Sequence, residues 1–331
     1  MTHPLLLAVL GLATAALAAC SPRPAASDPA PLELERTIPL RDVKGRIDHL
    51  AIDPKGGRLF VAALENGTLE AIDLRAGRVR RHVAGLPEPQ GIAFLPDRDE
   101  LVVAHGGDGS VRFFRASDLQ AAGQVDLGED ADNVRLDPTS GRVVVGYGAG
   151  AFAVIDPATR AVLSRTPLPS HPEGFQLDGT RAYVNLPGAG RIGVADLATG
   201  GLVASWENRG RRWNYSLAID RTAGEVAVAY RLPSRLVVFD PATGNPKQAL
   251  ATCSDSDDLF FDAPRGRLYV ACGDGQVDVF QRRDGAYAKV ANIATASGAR
   301  TALFSADLDR LYVAAPARGE RGAAILVLRP R

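Results

Sequence analysis

The feature that most constrains this chain is a repeat of about 42 residues that runs from Gly45 to the C-terminus. Each unit has an apolar segment ending near an Asp, a turn, a second segment such as Arg58 to Ala63, and two further segments. One position of the second segment recurs seven times, at Leu59, Leu101, Val143, Ala182, Val226, Leu268 and Leu311. Seven such units predict an all-β fold, a seven-bladed β-propeller with four-stranded antiparallel blades.

The apolar pattern inside each unit agrees with blades. First segments such as Leu259 to Asp262 are mostly apolar, as expected where neighbouring sheets cover both faces. Outer segments such as Arg78 to Val83 alternate between polar and apolar residues. The 34 Gly and 22 Pro suit a chain with many turns. The Asp-x-Ala-Thr-Gly sequences that begin at Asp196 and Asp240 are typical of turns in which Asp accepts backbone hydrogen bonds.

The seventh unit predicts how the ring closes. It contains only three segments, 302–305, 310–315 and 323–328, before the chain ends at Arg331. Residues 32–40 form an additional strand-like segment ahead of the first unit. We therefore expect this N-terminal strand to pair beside 323–328 and to complete the last blade.

The N-terminus predicts export. Residues 1–19 contain no Asp, Glu, Lys or Arg, and their apolar stretch is short for a bilayer span, as in a signal peptide. Leu17-Ala18-Ala19-Cys20 resembles the bacterial lipobox, which implies lipidation at Cys20 and an anchor in the cell envelope, either periplasm-facing or at the outer membrane. Residues 20–31, rich in Pro, Ala and Ser, predict a tether to a propeller of residues 32–331. Cleavage near Ala19 without lipid is the alternative.

The repeats resemble the YVTN-type, YncE-like seven-bladed propellers. The resemblance is carried by Tyr183-Val184-Asn185-Leu186, Tyr269-Val270-Ala271 and the Ala-Thr-Gly turns. It implies the fold over residues 32–331 and leaves the function open, since proteins of this family bind varied ligands or have no assigned role. Related propellers include lactonases with a metal in the channel. Haem is not expected, because the chain has no Cys-x-x-Cys-His sequence.

Polar residues recur where each first strand begins and where each second strand ends, which in a propeller is the mouth of the central channel. This register predicts a polar, mostly acidic ligand site there. Its candidate residues are Asp48, His49, Gln90, His105, Asp132, Asn133, His171, Glu173, Asn214, Asp257, Asp258 and Arg300.

A divalent cation is the one cofactor that the sequence leaves open. Carboxylates that could bind a hard cation are Asp48, Asp132, Glu173, Asp257 and Asp258, and His49 or His171 would favour a softer one. The leading candidates are Asp48, His49, Glu173 and Asp257. No closely spaced ligand motif identifies the metal. The structural alternative is that the carboxylates repel one another, which would raise their pKa values, and that an Arg such as Arg300 offsets this repulsion.

The charge balance limits the kinds of partner, and the cysteine count predicts a disulfide. The 38 basic and 38 acidic residues cancel, which argues against nucleic acid as a partner. With Cys20 assigned to lipid, Cys253 and Cys272 remain. Antiparallel pairing of the first two strands of unit six would bring them to the same face, so we expect a disulfide in an exported protein.

Three functions remain open for this chain, which we expect to be a monomer. The first is an envelope-tethered propeller that binds a small molecule, a glycan or a protein at the channel mouth without catalysis. The second is a metal-dependent hydrolase or lactonase that uses the acidic mouth. The third is a structural scaffold of the envelope, which would need no ligand at the mouth.

Overall fold

The computed structural model describes residues 29–331 as seven four-stranded antiparallel sheets. The predictions for the signal segment 1–19, for Cys20 and for most of the tether 20–31 lie outside the described residues. The only helical segments in residues 29–331 are three short 3-10 turns, Pro96–Arg98, Pro187–Ala189 and Ala263–Arg265. None of the described helices is long and apolar enough to cross a membrane.

The strands follow one another from the channel outwards in every blade. Blade 1 contains β2 (Leu50–Asp53), β3 (Arg58–Ala63), β4 (Thr68–Asp73) and β5 (Arg78–Ala84). Blade 2 contains β6 (Pro89–Leu95), β7 (Glu100–His105), β8 (Ser110–Arg115) and β9 (Ala121–Asp126). Blade 3 contains β10 (Ala131–Leu136), β11 (Val143–Tyr147), β12 (Ala151–Ile155) and β13 (Val162–Pro167). Blade 4 contains β14 (Phe175–Asp178), β15 (Arg181–Leu186), β16 (Arg191–Asp196) and β17 (Gly201–Glu207).

The remaining blades follow the same order. Blade 5 contains β18 (Arg212–Asp220), β19 (Glu225–Leu232), β20 (Ser234–Phe239) and β21 (Pro246–Ala251). Blade 6 contains β22 (Ser256–Asp262), β23 (Arg267–Cys272), β24 (Gln276–Arg283) and β25 (Ala286–Ala294). Blade 7 contains β26 (Ala302–Ser305), β27 (Arg310–Ala315), β28 (Ala323–Pro330) and, as its outermost strand, β1 (Leu32–Leu40).

Ring closure by the N-terminal strand is confirmed. β1 pairs antiparallel with β28 from Leu32 opposite Pro330 to Leu40 opposite Ala323. The Arg331 N–H donates to the Pro31 carbonyl over 3.0 Å, and Arg310 forms an ion pair with Glu35. The first and last residues of the propeller are thus joined by backbone hydrogen bonds.

The core lies between the blades. Seven hydrophobic clusters occupy the described ring, one at each contact between neighbouring blades. The repeated position of the second strand is buried in all seven copies. Burying a side chain such as Leu59 contributes about 2 kcal/mol, and this repeated position supplies one buried residue to each of the seven clusters.

Candidate functional site

The site residues lie at the end of the channel where each first strand begins. In four blades the first strand carries a register shift in its pairing with the second strand, between Pro89 and Ile92, Ala131 and Val134, Asn214 and Ser216, and Ser256 and Asp258. Such bulges release residues from the ladder and redirect their side chains. Asp132, Asn133 and Asp257 lie at these bulges, which explains why side chains from different blades reach one cavity.

Two glycines let neighbouring first strands approach closely at this level. A Cβ on Gly91 would lie 2.1 Å from the carbonyl oxygen of Asp132, and a Cβ on Gly174 would lie 2.3 Å from that of Tyr215. The Gly174 N–H donates to the Tyr215 carbonyl over 3.0 Å. Any larger residue at these positions would push the blades apart and widen the mouth.

The structure brings seven of the twelve predicted residues together around a cavity of about 40 Å³. They are Asp48, His49, Asp132, Asn133, Glu173, Asp257 and Asp258. Arg135 and Gln176 form part of this wall and also line a larger cavity of about 340 Å³ further along the channel, whose wall is otherwise mostly apolar. The polar cavity is therefore a small chamber above an apolar channel, and we call it the mouth cavity.

The other five predicted residues do not line the mouth cavity. The Gln90 amide donates to Asp130 over 3.1 Å, and Arg300 donates to Asp255 over 3.0 Å. Asn214 is fully buried and exchanges hydrogen bonds with Asn185 and Asn208.

The two remaining histidines of this group serve other contacts. His105 is fully buried, with Nδ1 3.2 Å from the Ser110 carbonyl oxygen. His171 lies just outside the cavity, where its Nε2 is 3.6 Å from an Asp132 oxygen and its Nδ1 is 2.7 Å from the Gly148 carbonyl oxygen. Of the three histidines predicted for the mouth, only His49 lines the cavity.

Two of the five carboxylates that line the cavity have an arginine partner that the sequence did not indicate. Arg46 donates to Asp48 Oδ1 over 3.0 Å. Arg231 donates to Asp257 over 2.8 Å, lies 3.2 Å from Asp255 and stacks on the Tyr215 ring. These two arginines, rather than Arg300, are the partners of the cavity-lining carboxylates.

Glu173 differs from the other carboxylates of the mouth cavity in its lack of a cationic partner within the described chain. It has no ion-pair partner within 4 Å among residues 29–331. Burial raises its pKa to about 8, and the nearby Asp132 carboxylate adds to the shift. Burial likewise raises the pKa of Asp257 to about 6 and shifts that of Asp48 upwards. Mutual repulsion, which the sequence suggests as the cause of such shifts, contributes less than the loss of water does.

The pKa of His49 is raised, which favours the protonated and positively charged imidazole. Burial alone would lower its pKa, but the carboxylates of Asp258 and Asp48 outweigh burial and raise the pKa to about 10. The Nδ1 of His49 lies 3.7 Å from Asp258 Oδ2, and that oxygen also accepts the Ala302 N–H over 2.8 Å. Asp258 is thereby fixed by the backbone of blade 7 and in turn orients the His49 ring.

The disulfide prediction is confirmed. Cys253 and Cys272 are joined in blade 6, with their Cα atoms 5.9 Å apart. The bond closes the loop that leads into β22, which carries Asp257 and Asp258. The mouth cavity is thus bordered by a covalently constrained loop.

Comparison with known proteins identifies the fold. Hydrazine synthase of Kuenenia stuttgartiensis has a similar structure, with a TM-score of 0.70, 17% identity, and coverage of 82% of this chain and 94% of that chain. The likeness is one of fold alone. No protein-family model and no curated protein matches this chain. The fold expected from the YVTN-type resemblance is confirmed, while membership of that family stays a prediction.

Proposed function

We propose that this protein is an exported, lipid-tethered propeller that binds a small ligand in the mouth cavity without catalysis. The observation that carries the proposal is that three residues lining this cavity each have a buried oxygen atom without a described partner: Asp48 Oδ2, Asn133 Oδ1 and Ser216 Oγ. Their residues are 1%, 3% and 2% exposed, and none of the three atoms has a hydrogen-bond partner in the described part of the chain. Such atoms each cost about 1 to 3 kcal/mol unless a ligand or water satisfies them.

The size of the cavity limits the ligand. A volume of about 40 Å³ holds an ion with a few waters, or the charged end of a larger molecule. It does not enclose a glycan ring, because sites for drug-sized molecules are about 300 to 1,000 Å³. Binding is favoured over hydrolysis because this volume admits an ion or a charged end group rather than a whole substrate.

The direction of β1 supports a specific orientation on the membrane. Leu32 pairs with Pro330, at the end of the blade opposite the mouth, and the Pro31 carbonyl accepts from Arg267 on that same face. A tether of residues 20–31 would span at most about 40 Å. In the proposed arrangement the far face is turned towards the membrane, and the mouth cavity opens away from it.

The ligand site is tested by thermal unfolding of the full chain, produced with its export signal, against a panel of metal ions, ammonium compounds and polyols. We expect at least one ligand class to raise the Tm of the wild type but not that of Asp48→Asn. The matched control, Asp196→Asn on the opposite face, should respond as the wild type does. If no compound acts, or if all three proteins respond equally, the mouth is not a ligand site and a structural role is favoured.

The tether is tested separately. Mass spectrometry of the mature protein should find a diacylglyceryl group on Cys20, and Cys20→Ser should move the protein from the membrane fraction to the soluble fraction. An unmodified mature N-terminus in the wild type would contradict the anchor and leave the ligand site untouched.

A further inference from the structure

One group of side chains in the mouth cavity has the geometry of a metal site. One potential ligand atom from each of Asp48, His49 and Asp132 lies within 4.8 Å of the other two. Asp48 and His49 come from the loop before β2 in blade 1, and Asp132 comes from the bulge of β10 in blade 3. Because the three residues belong to two blades, the tertiary fold brings them together.

We propose that the mouth cavity binds one divalent transition-metal cation through Asp48, His49 and Asp132. This proposal rests on the function proposed above and names its ligand. All three residues are among the cation ligands expected from the sequence, while Glu173 and Asp257 line the same cavity outside this group.

A second observation points to a ligand independently of the acidic residues. Asn133 and Ser216 line the same cavity, and the uncharged oxygens Asn133 Oδ1 and Ser216 Oγ are buried without a hydrogen-bond partner in residues 29–331. Amide and hydroxyl oxygens either coordinate a cation directly or accept hydrogen bonds from its bound waters. A cation with its waters would satisfy both atoms, which a purely carboxylate–arginine network leaves unpaired.

Arg135 lines the wall of the cavity, and Arg46 and Arg231 contact two of its carboxylates, but one oxygen of Asp48 has no hydrogen-bond partner in residues 29–331. Arg46 occupies only Oδ1 of Asp48, so Oδ2 remains available. Arg231 is held by Asp257 and Asp255. His171 Nε2 lies 3.6 Å from Asp132 Oδ2, at ion-pair distance. Burial alone would lower the pKa of His171, but Asp132 helps to raise it to about 9, so a metal ion at Asp132 would replace this imidazolium as the partner. Glu173 adds a further carboxyl group to the wall that no described cation pairs with.

The ligand set favours a transition metal over calcium or magnesium. An imidazole with two carboxylates suits Zn²⁺ or Mn²⁺, whereas Ca²⁺ and Mg²⁺ prefer all-oxygen sites. In the proposed site His49 coordinates through Nε2, because its Nδ1 faces Asp258. Since His49 is protonated without metal, binding would release the Nε2 proton to solvent. A carboxylate behind a coordinating histidine fixes the ring and increases the basicity of the ligand. Asp258 would have this positioning role.

The second group of potential ligands does not compete. It consists of Cys253, Cys272 and Asp274, near the rim of the same face. The two cysteines are joined in a disulfide, so neither offers a thiolate. Asp274 alone remains, and it already accepts hydrogen bonds from Ser254 and Gln276.

The test is calorimetric titration of the chelator-treated full chain with MnCl₂, ZnCl₂ and CaCl₂. We expect one site per chain, with Mn²⁺ or Zn²⁺ bound at least about tenfold more tightly than Ca²⁺. Asp132→Asn should weaken binding about 100-fold, and Asp258→Asn about tenfold. Asp274→Asn, the matched control near the rim, should bind as the wild type does.

A measurement on the wild type alone avoids any dependence on the folding of variants. Free Mn²⁺ gives a sharp six-line electron paramagnetic resonance spectrum, and binding at one site per chain should remove it stoichiometrically. A wild type that leaves this spectrum unchanged and binds no Zn²⁺ would overturn the cation site. Binding that is equal in the wild type, Asp48→Asn and Asp132→Asn would overturn it as well.

The failures of the two proposals are distinguishable. If an organic ligand raises the Tm of the wild type and not of Asp48→Asn while no metal binds, the cation is refuted and the ligand site stands. If neither metal nor organic ligand acts on the wild type, both are refuted.

Discussion

The two faces of the propeller use carboxylates in opposite ways. On the face opposite the mouth, Asp73 and Asp156 accept backbone hydrogen bonds from Ala76 and Ala158 in the turns between third and fourth strands, and these bonds lower their pKa values. At the mouth, burial raises the pKa values of Asp48 and Glu173. The direction of the pKa shift therefore distinguishes carboxylates whose oxygens accept hydrogen bonds in a turn from buried carboxylates that lack some of their hydrogen-bond partners.

This contrast explains why residue type alone is a poor guide to function here. Asp196 and Asp48 both lie at strand ends, but Asp196 Oδ1 accepts the N–H groups of Ala198 and Thr199, while Asp48 Oδ2 accepts none from the described residues. A satisfied carboxylate stabilises the fold. A buried carboxylate with an oxygen that accepts no hydrogen bond lowers the stability of the protein until a ligand or water binds to that oxygen.

The largest expected effect concerns Glu173. In the presence of chelator, Glu173→Gln should stabilise the protein by about 4 kcal/mol at pH 9 and by almost nothing at pH 4. The pKa of this buried Glu is raised to about 8, so the wild type loses stability as pH rises from 4.5 towards 8 and the unfolded chain ionises first. Urea unfolding of both proteins at the two pH values measures the effect. If the two proteins differed in unfolding free energy by the same amount at pH 4 and at pH 9, Glu173 would be solvated like a carboxylate of the opposite face.

The disulfide should give the next effect. Replacing Cys253 and Cys272 together by Ala should lower the free energy of unfolding by about 3 kcal/mol, because the bond closes a loop with a sequence separation of 19. Urea unfolding under non-reducing conditions tests this, with the wild type in reductant as the control. If the double variant were as stable as the oxidised wild type, hydrogen bonds alone would hold the loop before β22, as they hold the turns of the opposite face.

Acid should act on the mouth face through His105. Burial lowers its pKa to about 4, so the folded protein keeps His105 neutral while the unfolded chain is protonated below about pH 6.5. The wild type should therefore lose about 3 kcal/mol from this residue as pH falls from 6.5 to 4. The unfolding free energy of His105→Gln should lack this loss between pH 6.5 and pH 4, because glutamine does not titrate. Parallel stability curves of the two proteins would contradict the buried neutral state.

The smallest effect belongs to the opposite face. Asp196→Ala removes the acceptor of two backbone hydrogen bonds and should lower the free energy of unfolding by about 1 kcal/mol. It should leave metal affinity at the mouth unchanged. A change in that affinity would show that the two faces are coupled through blade 4, contrary to the separation described here.

The fold could be predicted from the sequence because burial repeats with the blade. The segments 302–305 and 310–315 predicted for the last unit coincide with β26 and β27, and 32–40 coincides with β1. Each is bounded by turn residues and has an apolar position that faces a neighbouring blade. The repeat therefore fixes both the strands and their order around the ring.

The candidate site could be predicted only in part, because the repeat tells which end of a blade a residue occupies but not where its side chain points. The bulge in β10 directs Asp132 and Asn133 to the cavity. The unusual length of β19 brings Arg231 to Asp257, which no period in the sequence indicates. His105 and Asn214 lie at the predicted end of their blades but are held by neighbours inside the protein.

The most direct test of the mouth as a cation-binding site is a crystal structure of the protein grown with MnCl₂, with anomalous diffraction recorded for manganese. The account predicts a single anomalous peak inside the mouth cavity, within coordination distance of Asp48, His49 and Asp132. A map in which the cavity holds only water, with Asp48 Oδ2 and Asn133 Oδ1 hydrogen-bonded to it, would contradict the account.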